Sequence, residues 1–154
     1  MNALDELKGA RLYLDSNVFI YAFEAQPGPL RQAIGQLLRW IYGGGSSAGT
    51  SLIARAEVLV RPLRLRQAEL ADRYRGLLSG DAPIAIFTLD RATMDGAAEL
   101  RADYPALKLP DALHLASALR ADCDFFVTGD QRLSALAARI PVLTLDQLPT
   151  GAAT

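Results

Sequence analysis

Two hydrophobic rhythms alternate along this chain. Short, nearly continuous apolar runs read as strands buried on both faces, and longer stretches with apolar residues three and four apart read as amphipathic helices. Residues 11–15 (RLYLD) form the first predicted strand, and 17–25 a short helix stopped by the turn QPGP. Residues 30–44 form a second helix, with Ile34, Leu37, Leu38 and Ile41 at helical spacing and Gly43 to Gly45 ending it. SSAGTS holds a second short strand. Two helices follow, 51–62 closed by Pro62 and 63–80 ending at Gly80, then a strand at 82–89. Residues 90–105 are helical, with a bend expected at Gly96, and 110–121 form a helix opened by Pro110 and Asp111. A strand at 125–130, a helix at 131–140 and a strand at 141–145 complete the series.

Strands separated by helices predict an α/β fold, a parallel sheet of about four to five strands covered on both faces. No linker, repeat or low-complexity segment interrupts residues 1–148, which read as a single domain; 149–154 (PTGAAT) is expected to fray.

Composition narrows the field by exclusion. The formal net charge of −1 names no partner. Lys8 and Lys108 are the lysines, so arginine supplies nearly all the positive charge. Arginine suits bidentate phosphate contacts, and equally reflects an Ala/Arg-rich coding bias. One cysteine, Cys123, allows no disulfide within the chain and fits a reducing cytosol. One histidine and one cysteine are too few for a structural zinc site. The N-terminal stretch lacks the apolar core of a secretory signal. No uncharged run approaches the ~20 residues of a membrane span, so a cytoplasmic protein is expected.

The chemistry lies in four acids. Asp15 and Asp130 stand at the carboxyl ends of strands, where open parallel sheets place their ligands. Each also precedes a helix, so an N-cap explains either one alone. Glu57 shares a helical face with Ile53, Ala56 and Val60. It is therefore expected on an apolar stripe, where a carboxylate must be paired, protonated or bound to a cation; an (i, i+4) pair with Arg61 is the plain alternative. Asp111 follows Pro110 as a candidate cap, and His114, the lone histidine, lies one turn on as a packing residue or a phosphate contact. If the four acids converge, their repulsion calls for a hard divalent cation, Mg²⁺ or Mn²⁺, and suits metal-assisted attack on a phosphodiester.

The ordered set YLDSNVFIY, ARAEVLVRP, LPDALHLASAL and FFVTGDQRL resembles the PIN-domain ribonucleases over nearly the whole chain, in particular the VapC-type toxins of toxin–antitoxin pairs. That resemblance implies a three-layer α/β/α fold and RNA endonuclease activity. It implies Mg²⁺ or Mn²⁺ held by Asp15, Glu57, Asp111 and Asp130, with Asn17 orienting Asp15 and Thr128 near the metal. Leu133 stands where some members carry a further acid. The toxin branch implies a homodimer silenced by a VapB-like antitoxin, whose groove would involve the helix pair at 51–78. Arg55, Arg61, Arg64, Arg66, Arg73 and Arg75 there could meet RNA phosphates or form a solvated face with pairs such as Glu69–Arg73. Trp40 and Tyr42 could stack a base or pack inward.

Rival readings stay open at this level. A haloacid-dehalogenase-like phosphatase would want a second acid where Asn17 stands, and a receiver domain a lysine after the last strand. An antitoxin-independent RNA-processing nuclease and a non-catalytic binding module of the same fold both fit the chain.

Overall fold

The computed structural model describes residues 3–149. Of the expected frayed tail, 150–154 lie outside the described residues. Five strands, β1 (Arg11–Leu14), β2 (Ser47–Ser51), β3 (Ile84–Phe87), β4 (Phe125–Thr128) and β5 (Val142–Thr144), form one sheet in the order β3-β2-β1-β4-β5. Every neighbouring pair is parallel. The helices are α1 (Ser16–Glu24), α2 (Pro29–Tyr42), α3 (Leu52–Arg64), α4 (Ala68–Leu77), α5 (Arg91–Asp103) and α6 (Leu109–Arg120). A 3-10 segment, Gln131–Leu136, links β4 to β5.

Strand alternation divides the core in two. Leu12, Leu14 and Val127 pack with Phe19, Ile34, Leu37 and Val58 on the side of α1 to α4. Tyr13 and Phe126 point the other way and pack with Leu100, Leu115 and Ala116 of α5 and α6. On that second face three rings lie in a row: Tyr13 stacks on Phe126 at 5.3 Å and on Phe87 at 6.1 Å between centroids. Gly49 makes the row possible, because a Cβ there would stand 2.3 Å from Phe87 Cζ. These strands are buried on both faces, as their unbroken apolar runs require.

Three boundaries depart from the pattern. Pro62 does not close α3, which continues to Arg64 with the proline inside its last turn. Its ring is buried along with Ala54 and Val58, so packing offsets the lost N–H. α5 runs uninterrupted through Gly96, where a Cβ would stand 3.5 Å from the Ala116 Cβ; the small residue lets α5 approach α6. Residues 131–140 form a 3-10 turn over their first part instead of an α-helix. No helix among the described residues is long and apolar enough to cross a membrane.

Candidate active site

Asp15 ends β1 at the centre of the sheet and caps α1, its Oδ1 accepting from Ser16 N–H at 2.8 Å. The other oxygen, Oδ2, accepts from the Thr128 hydroxyl at 2.8 Å. Helix cap and candidate site residue are thus the same group. Asn17 locks it to β4: its amide nitrogen reaches Asp15 Oδ2 (3.4 Å) and Thr128 Oγ1 (3.3 Å), while its Oδ1 accepts from Gly129 N–H (2.8 Å). Gly129 must be small, since a Cβ would come within 2.9 Å of the Tyr21 ring and 3.4 Å of Asn17 Cγ. Asp15 is 4 % exposed, and that burial holds its carboxyl above the usual range. His114 and the bonds from Thr128 and Ser16 oppose the shift, and the Glu57 charge adds to it.

Glu57 arrives from α3 but not from an inward stripe. The buried face of α3 is Ala54, Val58 and Pro62, and Val60 is 50 % exposed. Glu57 sits at the helix edge with its side chain 37 % exposed. Its partner is His114 rather than Arg61: His114 Nε2 lies 2.5 Å from Glu57 Oε1 and 3.5 Å from Asp15 Oδ1. Ionised carboxylates only accept, so this geometry puts a proton on Nε2. The other ring nitrogen, Nδ1, lies 2.7 Å from the Tyr13 hydroxyl, which also bonds the Ser51 hydroxyl at 3.0 Å. His114 is 1 % exposed, so a substrate phosphate cannot reach it; it is an internal strut between α6, β1 and α3.

Asp111 is not the cap of α6. Lys108 holds that position, and Asp111 falls in the first turn, half-buried, where a carboxylate favours the helix dipole. Burial raises its pKa, and the charges of Asp15 and Asp130 raise it further. Asp130 caps the 3-10 segment and accepts a bidentate pair from Arg132, Nε to Oδ1 at 3.0 Å and Nη2 to Oδ2 at 2.7 Å. Those bonds hold its carboxyl below the usual range.

The donor set therefore has a tight group and a flank. One carboxylate oxygen each from Asp15 and Glu57 and a ring nitrogen of His114 lie within 4.8 Å of one another, the nitrogen as the proton donor between the two acids. Asp111 and Asp130 belong to the same electrostatic neighbourhood without joining that group. Carboxylate oxygens gathered around a buried Asp15 fit a hard divalent cation. A bound cation would offset the mutual repulsion of Asp15, Glu57, Asp111 and Asp130.

Other candidates divide. The Arg55 guanidinium donates from Nη1 to the carbonyls of Arg75 (3.1 Å) and Leu78 (3.2 Å), tying α3 to the end of α4 instead of facing a phosphate. Arg61 is open, its side chain 72 % exposed and 3.9 Å from Glu24. Trp40 packs inward and donates to Ser46 Oγ at 2.9 Å. Tyr13, Ser51 and Arg132 went unnoticed in the sequence. Only Tyr13 left a trace there, a hydroxyl in the middle of a fully apolar strand that needs a partner.

A family model described as PIN domain matches residues 12–139. Among curated proteins no relative matches the chain. Among solved structures, the fold resembles VapBC2 from Rickettsia felis bound to a promoter DNA fragment, at a TM-score of 0.70 and 14 % identity over 87 % of this chain and 98 % of that one. It resembles a toxin–antitoxin complex from Klebsiella pneumoniae at a TM-score of 0.65 and 25 % identity, covering 87 % and 97 %. It also resembles FitAcB from Neisseria gonorrhoeae at 0.62 and 19 %, covering 89 % and 99 %.

Proposed function

The chain belongs to the PIN domain family, and from that premise we propose that it is a Mg²⁺- or Mn²⁺-dependent endoribonuclease, the toxin of a VapBC-type pair. The observation that carries the reading is the convergence of Asp15, Glu57 and His114 within 4.8 Å at the end of β1, with Asp111 electrostatically coupled to Asp15 and Asp130.

In this reading Asp15, Glu57, Asp111 and Asp130 hold the cation. When bound, a divalent cation activates water and stabilises charge on the phosphoryl oxygens. The rest is the work of this chain. Thr128 of β4 and Asn17 of α1 both reach Asp15 Oδ2 and fix that carboxylate at the end of β1. His114, braced by Tyr13, holds Glu57 against Asp15 across helices that share no backbone hydrogen bond. Arg61, exposed on α3, is a phosphate contact for RNA.

The VapBC2 and toxin–antitoxin structures that this chain resembles support a VapB-like antitoxin partner. Leu52, Val60 and Leu63 are about half exposed on α3, an apolar surface of the kind a partner covers. Incubation with RNA in Mg²⁺ or in EDTA tests the activity. Cleavage should require the metal and vanish in Asp15→Asn. Equal cleavage by that variant would assign the activity to a contaminant.

A further inference from the structure

We propose that the pocket between the α5–α6 connection and the 3-10 segment after β4 is a subsite for one unpaired nucleobase of the RNA, beside the phosphate held at the acids; the identity of that ligand rests on the nuclease reading above. The cavity measures about 230 Å³. Pockets for drug-sized ligands run to ~300–1,000 Å³, so this one suits a single heterocycle. Its floor is apolar, made by Leu107, Leu133 and Leu136, all nearly buried. Tyr104, half-buried, stands in the wall and offers an aromatic ring.

The rim has a different character. Asp111 and Asp130 line the same cavity, so the apolar floor and the flanking acids open into one space. Lys108 and Arg132, both exposed, stand on that rim. Each lies in electrostatic reach of the acids: Lys108 favours the Asp130 charge, and Asp111 favours the Arg132 charge. A ligand suited to this space has a flat apolar part and, one sugar away, an anionic group near both cations and the carboxylates. A nucleotide is such a ligand. A base stacked in a duplex cannot enter, whereas a splayed base of a loop or single strand can. Base contact here would give the enzyme a sequence preference at one position next to the cut.

The test uses the whole protein with Mg²⁺ and probes without a phosphodiester: the four nucleoside 5′-monophosphates and inorganic phosphate. Binding is read from the methyl resonances of Leu133 and Leu136. A nucleotide should shift both and bind more tightly than phosphate. Ala135 is exposed and lines the cavity, so Ala135→Trp should fill it from outside the core. That variant should weaken nucleotide binding about tenfold, within the range of one base–aromatic stack, and leave phosphate binding unchanged. Tyr104→Leu, which keeps apolar volume, should weaken it several-fold if Ala135→Trp does not fold. Phosphate binding as tight as nucleotide, or equal nucleotide affinity in the variants and the wild type, overturns the subsite. The two readings fail separately. RNA cleavage by a protein that binds no nucleotide here keeps the nuclease and removes the subsite; nucleotide binding without RNA cleavage does the reverse.

Discussion

Tyr13→Phe removes one oxygen from the middle of the molecule and little else. The ring keeps its place between Phe87 and Phe126, so its apolar contacts are retained. What is lost is the bond to His114 Nδ1 at 2.7 Å and the bond to Ser51 Oγ at 3.0 Å, both in fully buried surroundings. A buried polar group left without its partner costs about 1–3 kcal/mol. Two such groups, with partial relaxation of the Ser51 rotamer, put the expected loss at roughly 3 kcal/mol. For a chain of this size that corresponds to a Tm lower by about 6–12 °C.

Thermal and urea melts in EDTA measure this directly. A double-mutant cycle with His114→Gln separates the bond from the ring: coupling of about 0.5–3 kcal/mol is expected for residues in contact. Mn²⁺ titration supplies an independent readout. A histidine free to turn no longer holds Glu57 against Asp15, so affinity should fall as well. A stability loss under about 0.5 kcal/mol, together with an additive cycle, would refute the view that Tyr13 braces the site.

Further outcomes follow from the electrostatics and the packing. Asp15 and Asp111 both have folded pKa values raised above their unfolded ones. Their contribution to stability is full below the unfolded pKa and is lost as pH rises through the folded values. Melts in EDTA should therefore show Asp15→Asn gaining on the wild type as pH climbs from about 4 toward neutrality, and a variant that never gains would contradict the burial cost. Arg132→Gln frees the Asp130 carboxylate from its bidentate pair; Mn²⁺ should then bind a few-fold tighter, and unchanged binding would mean that Asp130 plays no part in holding the ion. Gly49→Ala places a Cβ 2.3 Å from Phe87 Cζ and should cost about 1–3 kcal/mol in a chemical melt. Gly129→Ala crowds Tyr21 and Asn17 and should cut RNA cleavage more than it lowers Tm, as paired activity and melting measurements would show.

The periodicity of the chain was enough to determine a parallel α/β sheet, because the central strands β1 and β4 are buried almost throughout and the segments between strands repeat at a helical period. It also placed Asp15 and Asp130 on the carboxyl rim, a property of strand direction and topology rather than of side-chain detail. Asn17 and Thr128 both reach Asp15 Oδ2, contacts between α1, β1 and β4 that periodicity does not encode. Helix faces were less legible. The stripe of Ile53, Ala56 and Val60 near Glu57 looked inward, yet α3 buries Ala54, Val58 and Pro62. An apolar face turned outward for a partner has the same period as one turned toward the core.

Tertiary structure alone decided the partners. Tyr13 meets His114 across 101 residues, and Glu57 meets it across 57. Neither pairing leaves a mark in local spacing. The Arg132 clasp on Asp130 is only two residues long, yet nothing in the sequence says which way that side chain turns. Local pattern records what each segment must bury. Which polar groups then meet depends on how the buried faces are stacked, and that is settled only when the layers close on one another.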